Sequence, residues 1–305
     1  LKIDPLAAWN DGEAKRSIMN FVARTSTVGS PDFVPRAQRI AVFDNDGTLW
    51  SEQPLPAQLA FALDRVKELA SEHPEWRAKQ PYRAALEGRL DVFSGSRVAE
   101  LVAATHAGMT TEEFQQTVRD WLVATKHPRF KRRHYGLVYQ PMLELLAYLR
   151  ANGFKNFIVC PSGIEFVRAF CERVYGISPE HVVGTSTKTR FEMRRETPVL
   201  VRLADIDHID EGEGKPAGIN QYIGRRPIAA FGNSDADLPM LQWAAAGDGP
   251  RLMMIIHHTD ADREIAYDRQ SSIGRLDRGL HTARERGWVV VDMKRDWLSV
   301  FSRPA

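Results

Sequence analysis

The sequence has 305 residues, 43% apolar and 26% charged, a make-up that excludes a disordered chain and allows one large core with a smaller appended unit. Its 41 basic and 39 acidic residues leave a formal charge of +2, so no overall field draws it to nucleic acid or to an anionic membrane, and any anion must be bound locally. No apolar run approaches the roughly 20 residues of a membrane span, and Cys160 and Cys171 match no zinc or redox spacing and read as reduced core residues. Because the sequence begins at Leu1, removal of a signal peptide is one expectation, with an exported or periplasmic location; otherwise a cytoplasmic one is expected.

Asp11 to Arg24 carries Ile18, Phe21 and Val22 at helical spacing behind an Asn/Asp start signal, which predicts an N-terminal helix. Arg39 to Phe43 is a short apolar run that breaks off into Asp44-Asn45-Asp46-Gly47-Thr48, the pattern of a buried strand entering a polar loop. From about Leu55 to Tyr135 the pattern is helical, through Leu59, Phe61, Val66, then Leu101 and Val102, then Phe114, Val118 and Leu122. No strand interrupts it, which predicts a helical insertion. A helix over Met142 to Leu149 stops at Asn152-Gly153, and Phe154 to Val159 supplies a second strand. Helices over Ile164 to Tyr175 and Leu238 to Ala246 then alternate with strands at Val182-Val183, Ile228 to Phe231, Leu252 to Ile256 and Val289 to Val291. That alternation predicts an α/β fold, a parallel sheet with helices on both faces. Arg190 to Arg194 and Val199 to Leu203 suggest a hairpin turning at Glu196-Thr197-Pro198.

Asp44 and Asp46 stand two apart at a strand end, where chemistry is commonly placed. A carboxylate is anionic at neutral pH, so Asp44 needs no activating base to attack phosphorus, and Asp46 is placed to protonate a leaving alkoxide and then deprotonate a water. The competing readings are an acidic turn or the start of a calcium loop. The calcium loop fails, because Asp44 at its first position puts Leu55 at its twelfth, where a Glu is required.

Val42-Phe43-Asp44-Asn45-Asp46-Gly47-Thr48-Leu49 resembles the first motif of haloacid dehalogenase-like phosphatases. The resemblance implies that Asp44 is the nucleophile, that Asp46 is the general acid/base and lends its backbone carbonyl to Mg²⁺, and that Thr48 orients the loop. Asp46 also implies phosphate esters, since halide departure needs no proton. Lys215, in Glu213-Gly214-Lys215-Pro216-Ala217-Gly218, matches the family's third-motif lysine, which neutralises the phosphoryl oxygens and the nucleophile. Ala230 to Leu241 resembles the Gly-Asp-x-x-x-Asp signature, with Asn233 in place of the first Asp, Asp237 as the second and Asp235 as an additional carboxylate. An Asn carbonyl can serve Mg²⁺, so the implied metal set is Asp44, Asp46 and Asn233, with Asp237 or Asp235 anchoring it. The same residues are good helix caps.

The family's second motif places a Ser or Thr at the end of the next strand, where this sequence reads Val159-Cys160-Pro161-Ser162-Gly163-Ile164. Cys160 holds that position and Ser162 follows two residues later, so phosphate contact falls to Cys160, to Ser162 or to backbone N–H groups near Gly163. Ser162-Gly163-Ile164-Glu165 also spells a capping box. His127, Arg129, Lys131, Arg132, Arg133 and His134 form a cationic cluster. It either selects substrate, Arg129 and Arg132 foremost, or is a solvated linker. Glu52 and Trp50 follow the first motif closely enough to contact substrate.

These readings imply a Rossmann-like parallel-sheet core, residues 1–50 and 139–305, with an inserted helical cap, residues 51–138, as in the phosphoserine phosphatase branch. The expected function is a Mg²⁺-dependent phosphatase that hydrolyses a small phosphomonoester through an aspartyl phosphate on Asp44. Its expected partner is a small phosphorylated metabolite, with neither nucleic acid nor membrane; the oligomeric state stays open. The alternatives are a dehalogenase, a phosphonate-cleaving relative, or a non-catalytic binding protein on the same scaffold.

Overall fold

The computed structural model describes residues 4–89, 93 and 96–301. Its strands are β1 (Ile40–Phe43), β2 (Lys155–Gly163), β3 (Val182–Arg194), β4 (Thr197–His208), β5 (Ala229–Gly232), β6 (Leu252–His257) and β7 (Val289–Asp292). They form one sheet in the order β4-β3-β2-β1-β5-β6-β7, parallel throughout except for the antiparallel β3–β4 pair. This is the Rossmann-like α/β core that the alternation of helix and strand predicts. β1 lies at its centre, with Val42 opposite both Phe157 and Ala230. Ala41 and Phe43 enter one apolar cluster and Ile40 and Val42 the other; burial on both faces explains why the strand reads as an unbroken apolar run.

The helices are α1 (Glu13–Ser26), α2 (Ala57–Leu69), α3 (Tyr82–Glu87), α4 (Ser96–Thr105), α5 (Thr111–Ala124), α6 (Gln140–Ala151), α7 (Ile164–Arg168), α8 (Cys171–Tyr175), α9 (Gly214–Gly218), α10 (Leu238–Ala245), α11 (Arg278–Arg286) and α12 (Met293–Asp296). No helix among the described residues is long and apolar enough to cross a membrane. The segment expected as one helix over Ile164 to Tyr175 breaks into α7 and α8. β3 runs far past Val182-Val183; only its first four residues are buried, and its largely polar, more exposed remainder escapes an apolar-run criterion. The hairpin turns earlier than expected, at Arg195-Glu196, both with positive φ (48° and 67°). Pro198 therefore lies inside β4, an edge strand that tolerates a missing N–H.

Helices α2 to α5 are built around Phe61, whose ring meets those of His106, Phe114 and Trp121, and of Phe166 on α7. Both α4 and α5 also touch β4. The joint with the sheet centres on Arg202 of β4, which is buried, pairs with Glu165 at 2.8 Å and lies 4.0 Å above the Phe114 ring. Removing one member of a buried pair strands the other charge. Arg202→Ala is thus expected to lower stability by about 3 to 5 kcal/mol, whereas Arg202→Met with Glu165→Met recovers most of it. Urea unfolding checks this; equal stability of the single and double variants would contradict the role given to the pair.

Candidate active site

At the carboxyl end of β1 the Asp44 N–H donates to the Phe231 carbonyl (3.0 Å), after which the Asn45 carbonyl accepts from the N–H groups of Thr48, Leu49 and Trp50. The chain can turn so tightly because Gly47 has φ +78°; a Cβ there would lie 2.1 Å from Asn233 Nδ2 and 2.3 Å from Glu52 Oε1. From behind, His258 Nε2 donates to the Gly47 carbonyl (2.8 Å), while its Nδ1 lies 3.3 Å from Glu264. Burial opposes ionisation of Glu264, but hydrogen bonds from His258 and Ser51 outweigh it and hold the group below the usual carboxylate range. A carbonyl only accepts, so His258 Nε2 carries the hydrogen that holds the Gly47 carbonyl.

Lys215, on α9, is fully buried and spends its three protons on Asp44 Oδ1 (2.6 Å), Asp237 Oδ1 (2.6 Å) and the Val159 carbonyl (3.0 Å). Burial works against its charge, but Asp237 and Asp44 outweigh that and raise its pKa. Asp44 is pushed well above the usual carboxylate range by burial and by the Asp237 charge, with Lys215 pulling the other way. The other Asp237 oxygen accepts from the N–H groups of Asn233 and Ser234 and from the Ser234 hydroxyl, at 2.9, 3.0 and 3.1 Å.

Asp46 Oδ1 accepts from Trp50 Nε1 (2.6 Å) and Oδ2 from the Ser162 hydroxyl (2.7 Å). Burial raises its pKa, and those two hydrogen bonds partly offset the rise. Glu52 Oε1 accepts from Asn233 Nδ2 and from the Tyr267 hydroxyl, each at 2.7 Å; burial, with the Asp46 and Asp44 charges adding to it, pushes Glu52 well up. Asp44, Asp46, Glu52, Ser162, Lys215 and Asp237 all line a cavity of about 230 Å³. Its outer walls are apolar, among them Pro56, Leu59, Phe93, Val98, Ile209 and Ile273.

Several expectations need correction. Ser162 does not cap α7: the N-cap is Gly163 without a side-chain bond, and the Ser162 hydroxyl points at Asp46. The β2–β3 register shifts between Cys160 and Gly163, and this irregularity carries Ser162 into the cavity, whereas the buried Cys160 is absent from its lining. Burial, then the Asp44 and Asp46 charges, push the Cys160 thiol well up, so it stays protonated. The Gly163 N–H is committed to Gln58 of α2 at 2.7 Å. Thr48 is buried, and its hydroxyl donates to Asn233 Oδ1 at 3.0 Å. Asp235 turns away, accepting the N–H groups of Asp277 (3.0 Å) and Gly279 (2.8 Å) at the start of α11.

The basic cluster does not line the cavity either. Arg129 bonds the Ala261 carbonyl and lies over Phe130, and Arg132 lies over Phe301, so their charges are spent on carbonyls and ring faces elsewhere. Burial draws His134 down to about 4 and also lowers His127, which makes them neutral packing residues. Trp50 serves the site by donating to Asp46. Sequence reasoning missed Gln58, His258, Glu264 and Tyr267. The one signal for His258 is its place just after the apolar run of β6.

Hard oxygens suit Mg²⁺, and those present are the Asp44 carboxylate, the Asp46 main-chain carbonyl and the Asn233 amide oxygen. Among the described residues no three His, Cys, Asp or Glu side chains form a metal-holding group by themselves. Five carboxyl groups (Asp44, Asp46, Glu52, Glu211, Asp237) and one lysine, Lys215, line the cavity, so the donor set and its charge fit a divalent cation.

This is an α/β protein whose site lies at the carboxyl ends of parallel strands. Residues 41–242 match the haloacid dehalogenase-like hydrolase family, and the chain belongs to that family and is a hydrolase. It is similar to a conserved functionally unknown protein from Anaerococcus prevotii DSM 20548, with 19% identity over 96% of each chain and a TM-score of 0.59. It is also similar to a protein of unknown function from Bordetella pertussis Tohama I, with 18% identity over 84% of this chain and 99% of that one and a TM-score of 0.53. A probable phosphoserine phosphatase from Vibrio cholerae is 14% identical, over 84% of this chain and 69% of that one, with a TM-score of 0.41. No protein of curated function matches the chain.

Because the Ser162 hydroxyl pulls the Asp46 carboxyl down, Ser162→Ala is expected to raise the Asp46 titration midpoint and to leave α7 intact. Carboxyl NMR and a thermal melt check this. An unmoved midpoint, with the loss of about 1 kcal/mol typical of a missing N-cap, would restore the capping role.

Proposed function

We propose that the protein is a Mg²⁺-dependent phosphatase that hydrolyses a small phosphomonoester through an aspartyl phosphate on Asp44. The observation that carries this reading is the division of labour on Asp44: Lys215 holds Oδ1, while Oδ2 has no hydrogen-bond donor among the described residues and the side chain lines the cavity. One oxygen is fixed and charge-balanced; the other is free to attack.

In this mechanism Asp44 Oδ2 bonds to phosphorus as the ester oxygen departs toward Asp46. Asp46 is suited to deliver the proton, since burial extends its protonated form above the ordinary carboxylate range. The resulting Asp46 carboxylate then takes a proton from the water that attacks the aspartyl phosphate, which releases phosphate and restores both groups. Lys215 compensates the negative charge shared by Asp44 and Asp237 throughout. A bound Mg²⁺, held by Asp44, the Asp46 carbonyl and Asn233, would supply charge neutralisation for the phosphoryl oxygens. A halide leaving group would make no use of Asp46, so its two hydrogen-bond partners favour the phosphate ester.

Residues 51–138 act in this reading as a cap: Pro56, Gln58, Leu59, Phe93 and Val98 border the cavity where the leaving group would lie. The only Lys or Arg among the described lining residues is Lys215, and the segment 90–95 contains none in its sequence. Apart from Lys215, a leaving group with its own carboxylate or phosphate meets no Lys or Arg among the described lining residues, which favours a compact uncharged alcohol.

Acid quenching during turnover of a labelled phosphomonoester with Mg²⁺ should trap label on the wild-type protein, and none on Asp44→Asn or in EDTA. Label retained by Asp44→Asn would end the covalent reading.

For Asp46→Asn the loss should depend on the leaving group, at least about 100-fold for an alkyl phosphate and much less for p-nitrophenyl phosphate, whose phenolate leaves unprotonated. The sign of the pH effect follows from the raised pKa: alkyl phosphate turnover falls as pH rises through the Asp46 midpoint, and this limb vanishes in the variant. Equal losses on both esters would remove Asp46 as the acid.

A further inference from the structure

Gln58, the second residue of α2, is buried and lines the cavity beside Pro56 and Leu59, and the mechanism above gives it no role. We propose that Gln58 is a specificity-determining residue: its amide NH₂ group donates a hydrogen bond to a neutral oxygen of the leaving group, one or two carbons away from the ester oxygen. The substrate class is then a phosphomonoester of a small alcohol that carries a second oxygen, as hydroxyl, carbonyl or ether. This inference rests on the phosphatase reading and names the leaving group for that same site.

The orientation of the amide follows from hydrogen-bond chemistry. A backbone N–H only donates, so the Gln58 atom 2.7 Å from the Gly163 nitrogen is the amide oxygen. The NH₂ group occupies the space that a side chain at residue 163 would claim, since a Cβ there would lie 2.9 Å from Nε2. Among the described residues nothing accepts from Nε2, although Gln58 is only 5% exposed. Buried amides are normally paired, and the cavity that Gln58 lines is where a partner has space.

Its neighbours define what that partner is. Gly163 follows Ser162, whose hydroxyl holds Asp46 Oδ2 at 2.7 Å, so an ester oxygen leaving toward Asp46 has its next carbons near Gln58. Lys215, Ser162 and Ser234 also line the cavity, but their protons are spent on Asp44, Asp46, Asp237 and the Val159 carbonyl. The Gln58 NH₂ group is unspent and neutral, and a lining with five carboxyl groups and one lysine disfavours an anionic acceptor. An uncharged oxygen is what remains, with Leu59, Phe93, Val98 and Ile209 flanking the carbon skeleton.

Two esters that differ in one position of the chain test this. In 2-methoxyethyl phosphate an ether oxygen, which only accepts, replaces a methylene of n-butyl phosphate, and kcat/KM for each is measured with Mg²⁺ on the full chain. The wild type should favour the ether ester about fivefold or more, the range of one hydrogen bond between neutral groups. Gln58→Met keeps the length of the side chain without its N–H groups and should remove that preference. Gly163→Ala keeps Gln58 but crowds Nε2, so it should lower the preference too, and it carries the comparison if Gln58→Met does not fold. Were Gln58 only a tie between α2 and the end of β2, its loss would slow both esters alike and leave their ratio unmoved. Turnover of both esters by the wild type without preference, or a preference that survives Gln58→Met, would overturn the inference while leaving the phosphatase reading intact. A wild-type chain that hydrolyses neither ester would overturn both.

Discussion

The ammonium of Lys215 between Asp44 and Asp237 is the interaction on which the rest of the site depends. It ties together three separate stretches of chain: the end of β1, the loop after β5 and, through the Val159 carbonyl, the end of β2. Burying one cation with two carboxylates is expensive unless every proton and lone pair is used. That condition is nearly met, because Lys215 spends all three protons and Asp237 accepts three further hydrogen bonds. The close approach this needs is possible only because residue 232 lacks a side chain; a Cβ there would meet Asp237 at 2.5 Å. The surplus negative charge is left at the cavity floor, facing the space where a cation and a phosphoryl group would sit.

A second buried polar pair, His258 and Glu264, supports the first from behind. The His258 ring holds the Gly47 carbonyl, and Glu264 lies against His258 while also accepting from Ser51 and Tyr139. Tyr267 stacks on His258 at 4.3 Å between ring centres and donates to Glu52. The turn that carries Asp44 and Asp46 is thus fixed from the segment after β6, a part of the chain with no recognisable motif. Rigidity at the turn that carries Asp44 comes from residues more than 200 positions away, an arrangement suited to a site whose groups must be preorganised to within a fraction of an ångström.

How much of this was legible in the sequence follows from what kind of signal each part leaves. Strands buried on both faces read as apolar runs, so β1, β2, β5 and β6 were visible, and the half-buried β7 was visible through Val289 to Val291; so were Asp44, Asp46 and Lys215, which sit in local motifs. The exposed half of β3 left no such run, and the short α7 and α8 could not be told from one longer helix. Asp235 shows the limit of motif reading: spacing within a loop says that a carboxylate is near a site but not which way it points, and its oxygen is taken by the first turn of α11. The cationic cluster around Arg129 and Arg132 shows the same limit for charge. Its members are adjacent in sequence, but burial makes two of them neutral histidines and ring stacking engages two of the arginines.

Ser162 illustrates how backbone geometry can replace side-chain identity. The last β2 residue in regular register with β3 before the shift is Cys160, a weak donor kept protonated by burial. The register shift between Cys160 and Gly163 places Pro161 and Ser162 outside the regular pairing with β3. A proline is tolerated there because the irregularity requires no N–H from it. The extra length carries a strong hydroxyl donor to Asp46, while the Gly163 N–H that follows is taken up by Gln58 of α2. The irregularity therefore does two things at once: it restores a hydroxyl that the local sequence has lost, and it links the strand end to the first helix of the inserted segment. A change in that helix would be felt at Asp46 through only two covalently adjacent residues, which couples Gln58 of α2 to the Asp46 carboxyl.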